Sequence, residues 1–398
     1  METNKFTCKV FYCLEGIDFT KDVVYTAFFL FLAFYIFAMT LNLAFLILVI
    51  TEKNLHQPMY ILFCNLTVSD IIAATEVFPR LLVDILRSPS ERLISYYECV
   101  VQAFLNQWVS STSHTVLMIM AFDRYVAICN PLRYSAIMTT RMLVKLSVSA
   151  WGVPFLFVSV LIGLSVRLNR CRTFVSNPLC DNASLFKLSC ESVEINNIYG
   201  LFYTVLLLVA SVGCIVLTYG KIAVICLTSK NKTMKKKALK TCSTHLVVYL
   251  VLTFVSNPLC DNASLFKLSC ESVEINNIYG LFYTVLLLVA SVGCIVLTYG
   301  KIAVICLTSK NKSMKKKALK TCSTHLVVYL ILLFSGFSVI ALHRFPQYSY
   351  YRKILTILFF VVPGSLNTII YGVQSKEIRN FLSEKIKRHQ CFQLKNNK

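Results

Sequence analysis

Long apolar stretches recur along the chain and are separated by short polar segments. An α-helix rises about 1.5 Å per residue, so about 20 apolar residues are enough to cross the hydrocarbon of a bilayer. The pattern therefore predicts an all-α polytopic membrane protein, with polar residues in loops at the two surfaces. Nine stretches are candidate spans, at residues 23–50, 59–86, 98–128, 142–166, 195–227, 238–255, 275–307, 318–342 and 350–371.

Residues 173–252 recur almost unchanged as residues 253–332; only Thr233/Ser313 and Val251/Ile331 differ. Each copy of 80 residues holds the end of one loop, a full span, a basic loop and the start of another span. Transporter repeats are weakly similar and usually inverted, unlike this direct copy. We interpret the repeat as a tandem duplication, or an error in assembling the sequence, that adds two spans to a seven-helix bundle. Without one copy of 80 residues, the chain of 398 residues would have 318.

The two copies of the sixth span differ in length. The stretch at 238–255 has 18 residues and reaches about 27 Å, against about 30 Å of hydrocarbon, and it ends in the polar Ser256-Asn257-Pro258. The stretch at 318–342 reaches about 37 Å. We therefore expect the shorter helix barely to cross.

The repeat divides the chain into six expected segments. They are an extracellular N-terminus (1–22), spans one to four with the start of the second outer loop (23–172), copy one with a fifth and a truncated sixth span (173–252), copy two with a fifth span and the start of the full sixth (253–332), the rest of span six with span seven (333–373), and a cytoplasmic tail (374–398).

Composition and charge agree with a membrane protein. The chain is 56% hydrophobic with a mean hydropathy of +0.65, and 15% of its residues are charged, against about 25% in soluble domains. Its net charge of +21 comes from lysines in short loops and the tail, as expected of cytoplasmic segments, so we do not expect a nucleic-acid partner. Residues 1–22 have no apolar core, so we expect no cleavable signal peptide.

The end of the third apolar stretch carries adjacent charges. Residues 120–134 read MAFDRYVAICNPLRY, with Asp123 next to Arg124 and Pro131 after them. A charge at the bilayer centre costs about 2.5–3.5 kcal/mol. This pair therefore indicates a helix end, where the two charges neutralise each other and meet water. An ordinary capped helix end accounts for Asp-Arg-Tyr alone, but the whole stretch is more specific.

The full stretch closely resembles the signature of the olfactory receptors, a branch of the rhodopsin-like G-protein-coupled receptors. That signature reads M-A-[YF]-D-R-Y-V-A-I-C-x-P-L-x-Y, and every fixed position matches. KALKTCSTH at 317–325, repeated at 237–245, resembles the family's K-A-x-x-T-C-x-x-H. PGSLNTIIY at 363–371 resembles the end of its last span, with Thr368 where proline is usual. The resemblance covers residues 23–390 apart from the extra copy.

The resemblance implies roles for several groups of residues. It assigns G-protein coupling to Asp123, Arg124, Tyr125, Tyr219, Tyr299, Lys317 and Lys320. It assigns an activation network, often arranged around a sodium ion beside Asp70, to Asn42, Asp70, Asn367 and Tyr371. A solvated lysine run is the simpler explanation of the basic residues by themselves, and the Thr-Cys-x-x-His that follows them makes the match specific.

Cysteines and sequons mark the outer surface. The resemblance pairs Cys99 with Cys180, and Cys171 with Cys190, while free thiols are the alternative. Asn182-Ala-Ser and Asn262-Ala-Ser match the N-glycosylation pattern in segments that we expect outside the membrane.

Helical spacing predicts the ligand site. Counting outward from Arg124 along one helix face gives Ser111, Ser110, Gln107 and Asn106. All four are neutral, which favours a small, weakly polar ligand bound between spans three, five and six. The alternative is that these side chains bond back to their own helix. By the same resemblance, an amine receptor would carry an aspartate in place of Asn106 and a visual pigment a lysine in place of Val361, so both are disfavoured.

The expected function is therefore that of an odorant receptor in the plasma membrane. Its expected partners are a small odorant, a stimulatory olfactory-type G protein that raises cyclic AMP, and membrane lipid. Another rhodopsin-like receptor, or a non-functional duplicated receptor sequence, is the alternative, and a transporter or channel is less favoured. We expect no enzyme activity and no cofactor, since the sequence contains no evident metal-ligand cluster, nucleophile–base pair or phosphate-binding loop.

Overall fold

The computed structural model describes residues 11–14, 19, 21–175 and 179–228. Five long helices run through these residues, and we name them spans one to five: Lys21–Thr51, Pro58–Leu86, Tyr96–Cys129, Thr140–Val166 and Glu194–Thr228. Each agrees with the corresponding predicted stretch to within two residues at either end. The all-α polytopic membrane fold is thus confirmed, and the stretches predicted from 238 onward lie outside the described residues.

Length and composition support a membrane location for these helices. Spans one, two and four, and Glu194–Ser211 of span five, are each long and apolar enough to cross a bilayer. Span three becomes the fifth candidate together with Pro131–Ile137, to which it is joined at a bend of 112°. Side chains such as Phe29, Ile47 and Leu156 lie exposed on the outside of the bundle, as lipid-facing residues do.

Local signals set the helix ends. The Ser95 side chain accepts from the Glu98 backbone N–H at 3.3 Å, and the Glu98 carboxylate accepts from the Ser95 N–H at 3.0 Å. This reciprocal cap begins span three. The span ends at Cys129, because Pro131 has no N–H with which to continue the helix. The Pro131–Arg133 3₁₀ turn and the short helix Tyr134–Ile137 follow.

Span three is the centre of the described bundle and packs against spans two, four and five. Polar contacts fix its orientation. Ser113 lies 2.8 Å from Ser69 of span two, while Trp108 Nε1 and Thr115 Oγ1 donate to backbone carbonyls of span four at 3.0 and 2.7 Å. Such interhelical bonds satisfy polar groups that lipid cannot. The fifth span of the first copy occupies the place beside span three, with Cys214 Sγ donating to the Met118 carbonyl at 3.8 Å.

A three-stranded sheet, which the sequence did not predict, closes the end of the bundle at which spans one and three begin, and we name this end the outer end and the opposite one the inner end. Its strands are β1 (Phe11–Leu14), β2 (Leu93–Ser95) and β3 (Phe174–Val175), in the order β2-β1-β3. β1 is antiparallel to β2 and parallel to β3. The residues preceding span one are therefore tied to both outer loops.

Short helix Asn182–Lys187 completes this outer layer. It packs against spans three and four and lies between Cys180 and Cys190. Together with the sheet it contributes Tyr12, Leu185 and Leu188 to a buried cluster that also contains Cys99 and Val158. The outer loops are thus part of the packed core.

Candidate functional site

The inner end of span three holds a closed ion pair. Arg124 Nε donates to Asp123 Oδ2 at 2.8 Å, and Arg124 Nη2 donates to the same oxygen. Asp123 is completely buried, whereas the Arg124 side chain is 16% exposed. The expectation that both charges meet water is wrong for Asp123, because its neighbours cover the carboxylate and supply the hydrogen bonds that a buried charge requires.

Tyr134 provides the cover on the other side. Its hydroxyl donates to Asp123 Oδ1 at 2.8 Å. The 112° bend after span three turns the chain so that this tyrosine lies beside the carboxylate. Burial, and then the charge of Asp123, raise the pKa of the Tyr134 hydroxyl, which keeps it protonated as a donor. We did not assign Tyr134 from the sequence, although it is the last fixed position of the 120–134 motif.

Tyr125 connects this inner end to span five. Its ring centroid lies 5.6 Å from Lys221 Nζ, within the range of a cation–π contact. Tyr219 lies two residues earlier in the helix of span five. The remaining predicted coupling residues, Tyr299, Lys317 and Lys320, lie outside the described residues.

The four predicted pocket residues share one face of span three. On one side of this face, Gln102 and Ser113 contact span two. On the other side, Trp108 and Thr115 donate to backbone carbonyls of span four. At 3.6 residues per turn, Asn106, Ser110, Gln107 and Ser111 lie in the arc between these two contacts. Ser111 is buried and the other three are half-buried. Their place as ligand contacts stays a prediction.

His114 is a polar residue on the same face that the sequence analysis did not single out. It comes four residues after Ser110 and is fully buried. A buried imidazole beside the predicted pocket adds a side chain with both donor and acceptor capacity to an otherwise amide and hydroxyl lining.

The outer end contains both disulfides that the resemblance implies. Cys99 and Cys180 are bonded with their Cα atoms 5.2 Å apart, and Cys171 and Cys190 with theirs 5.9 Å apart. Gln102 Oε1 accepts from the Cys180 backbone N–H at 2.8 Å, so the loop and span three are joined by a hydrogen bond as well as a covalent bond.

Non-reducing peptide mapping of the full chain should find Cys99 linked to Cys180. Copy two contains Cys260 at the position equivalent to Cys180. The structure pairs Cys99 with copy one, whose loop packs on the outer ends of spans three and four. The Cys171–Cys190 peptide is an internal control for the method. Recovery of Cys99 linked to Cys260 would mean that copy two has displaced copy one.

The predicted activation network is described only in part. Asn42 is buried, and its side-chain amide donates to the Ala38 carbonyl of its own helix at 2.9 Å. Asp70 is half-buried, next to Ser69. A carboxylate is the kind of oxygen ligand that a hard cation prefers, and sodium beside Asp70 stays a prediction. Asn367 and Tyr371 lie outside the described residues.

Asn182 is part of the packed outer layer. Its Oδ1 accepts from Ser165 Oγ at 2.8 Å, and Asn196 Nδ2 donates to the same hydroxyl at 3.0 Å. The sequon hydroxyl of Ser184 is buried and donates to Asp181. Glycosylation at Asn182 stays a prediction, and Asn262 lies outside the described residues.

Comparison with known proteins gives a consistent result. The family model described as olfactory receptor matches residues 31–257 and again residues 251–389, so its two matches meet near the junction between the repeats. Olfactory receptor 2F1 of Homo sapiens is 28% identical over 291 residues, which are 72% of this chain and 89% of that receptor. Olfactory receptor 8G17 of Mus musculus is 28% identical over 284 residues, which are 71% and 90%. Olfactory receptor 2G6 of Homo sapiens is 33% identical over 252 residues, which are 63% and 78%.

Proposed function

The chain belongs to the olfactory receptor family, a family of receptors rather than enzymes, and we propose that it binds a small, weakly polar odorant and activates a stimulatory olfactory-type G protein that raises cyclic AMP. The observation that carries this proposal is the closed arrangement of Asp123, Arg124 and Tyr134 within the family's most specific motif. An arginine held by a buried partner at an inner helix end is suited to act as a switch, because its release exposes a cation to the cytoplasm.

The ligand occupies the outer half of the bundle, between spans three, five and six. Asn106, Gln107 and Ser110 are half-buried on the side of span three that also carries Met118, whose carbonyl accepts from Cys214 of span five. Amide and hydroxyl groups orient a small molecule by hydrogen bonds without the cost of burying an isolated charge. The disulfide-tied loop and the sheet restrict access from the outside.

Activation is a change in the populations of two arrangements. The ligand binds the active arrangement more tightly than the resting one and so shifts the equilibrium. The resting arrangement is held by the Arg124–Asp123 pair, the Tyr134–Asp123 hydrogen bond and the Lys221–Tyr125 contact. When Arg124 leaves Asp123, the sixth span moves outward and the G protein docks on Arg124, the Tyr134 segment, Lys317 and Lys320.

We propose that the protein lies in the plasma membrane, with the N-terminus outside and the tail in the cytoplasm. β1 lies on the same side of the bundle as both disulfides. Disulfides form in oxidising compartments, which supports this side as the extracellular one. Asp123, Arg124 and Tyr134 lie at the opposite ends of the helices, where membrane lipid and the G protein are the expected partners.

A cell assay tests the proposed function. Cells that express the full chain, and cells that do not, are exposed to the same panel of small odorants while cyclic AMP is measured. A saturable rise that requires the chain is the expected result. If no odorant raises cyclic AMP although surface labelling detects the chain, the proposal is wrong.

Replacing Tyr134 with Phe should raise basal cyclic AMP. The change removes the donor to Asp123 Oδ1 and leaves a buried carboxylate oxygen with one bond fewer, which destabilises the resting arrangement. A hydrogen bond to a charged group contributes about 1.5–3 kcal/mol, and about 1.4 kcal/mol is a factor of ten in an equilibrium, so we expect basal signalling to rise at least roughly tenfold at equal surface expression. The control is Tyr97→Phe, which should leave basal signalling unchanged. Tyr97 lies at the outer end of span three and is 81% exposed. Unchanged basal signalling in Tyr134→Phe would remove Tyr134 from the switch.

A further inference from the structure

A carboxyl group lies between spans two and three near the predicted pocket. Glu76 comes seven residues after Ser69, whose hydroxyl donates to the Val109 carbonyl of span three at 3.1 Å. Residues seven apart share a helix face, so Glu76 also faces span three, two turns nearer the outside. An ionisable residue within a membrane span is costly and indicates a function.

Gln102 approaches one oxygen of this carboxyl. The Gln102 carbonyl oxygen accepts from the Cys180 N–H at 2.8 Å, so its amide nitrogen is the end that remains to donate. The Gln102 side chain is hydrogen-bonded to Glu76. Glu76 Oε1 is buried and has no hydrogen-bond partner within the described part of the chain. One carboxyl oxygen is therefore held by span three, and the other is an acceptor still to be used.

The basic side chains nearby are engaged elsewhere. Arg80, one turn outward from Glu76, donates to Asp84 Oδ2 and to the Leu93 carbonyl, both at 2.8 Å. Arg92 donates to the Asp84 carbonyl at 3.0 Å. The Arg170 guanidinium lies 3.9 Å from the centroid of the Tyr96 ring. None of these contacts is directed to Glu76, so these three basic side chains of the described part of the chain leave its carboxylate available to a cation of the ligand.

Glu76 lies at the edge of the ligand face of span three, because its hydrogen-bond partner Gln102 is one helical turn outward from Asn106. Gln102 and Asn106 are four residues apart and therefore lie one above the other on span three. We propose that Glu76 binds the amino group of the odorant, and that the ligands of this receptor include small aliphatic primary amines whose alkyl chain extends inward past Asn106. This inference rests on the proposed odorant-receptor function. It replaces the expectation that the neutral Asn106 disfavours amines, because span two supplies the acid.

Matched probes test the inference on the full chain. n-Hexylamine and n-hexanol have the same alkyl chain, and each is titrated in the cyclic AMP assay. Each is also tested for its effect on the thermal midpoint of the purified full chain in lipid nanodiscs, which does not depend on a G protein. A charge-assisted hydrogen bond is about twice as strong as a neutral one, so we expect half-maximal response at an at least roughly tenfold lower concentration of hexylamine.

Two variants locate the effect. Glu76→Gln keeps the shape and an oxygen acceptor for Gln102, and should raise the half-maximal concentration of hexylamine at least roughly tenfold while changing that of hexanol less than about threefold. Glu98→Gln, at an exposed carboxylate four residues before Gln102, is the control and should change neither. If Glu76→Gln does not reach the surface, the unaltered chain and Glu76→Asp are compared instead. Both should respond to hexylamine at a lower half-maximal concentration than to hexanol.

The outcomes separate this inference from the proposed function. Equal or better responses to hexanol in the unaltered chain, or an unchanged hexylamine response in Glu76→Gln, would overturn the amine assignment and leave an odorant receptor. If neither probe changes the thermal midpoint and no odorant of the panel raises cyclic AMP, both the amine assignment and the proposed function are wrong.

Discussion

Replacing Arg124 with Ala should abolish agonist-dependent cyclic AMP production. In the resting arrangement the guanidinium donates twice to the buried Asp123, and in the proposed active arrangement it contacts the G protein. Alanine removes the G-protein contact and leaves Asp123 with only the Tyr134 hydroxyl among the bonds described here. We therefore expect full loss of the agonist response rather than a shift in agonist concentration.

Surface expression and a matched arginine provide the controls. Arg167 is an exposed arginine directly after span four at the outer surface, so Arg167→Ala removes the same charge far from the G protein. It should signal normally. Arg124→Ala should reach the surface at a level comparable to the unaltered chain. Normal signalling by Arg124→Ala at that level would contradict the assignment of Arg124 as the G-protein contact.

Deleting either 173–252 or 253–332 should raise surface expression several-fold. A seven-helix core needs one fifth and one sixth span, whereas the sequence contains two candidate stretches for each. In the structure the fifth span of copy one packs against span three and its loop is tied by the Cys99–Cys180 bond. We expect the short stretch at 238–255 to expose polar backbone that lipid cannot satisfy, which favours retention inside the cell.

The two deletions are controls for each other. Their products have 318 residues and differ only at the two positions where the copies differ, so both should traffic and signal alike. Surface labelling of intact cells, divided by total protein, is the measurement. If the full chain reaches the surface and signals as well as either deletion, the second copy is tolerated or used, and our interpretation of it as a defect is wrong.

The long apolar stretches of the sequence predicted the spans well because a membrane requires continuous apolar length. Spans one to five agree with the prediction to within two residues at each end. The start of span three at Ser95 and its end before Pro131 likewise depend on a few neighbouring residues only. The outer sheet was not predicted, since β1 and β3 are four and two residues long and pair only through tertiary contacts.

The site was predictable where a motif specified it and not where the fold assembled it. Asp123 and Arg124 are adjacent in sequence, so their pairing could be expected. Tyr134 lies eleven residues from Asp123, and only the bend after Cys129 joins them. Glu76 and Gln102 are on different spans, and the orientation of Gln102 depends on Cys180 of a third segment. No pattern along the chain contains that arrangement.

Odorant-stimulated nucleotide exchange is the most direct test of the receptor assignment. Membranes containing the full chain are mixed with a purified stimulatory olfactory-type G protein, and GTP uptake is followed with and without each member of a panel of small odorants. At least one odorant should accelerate uptake saturably, and Arg124→Ala membranes with equal receptor content should show no acceleration. If no odorant accelerates uptake, or if Arg124→Ala responds as the unaltered chain does, the chain does not act as an odorant receptor that couples through Arg124.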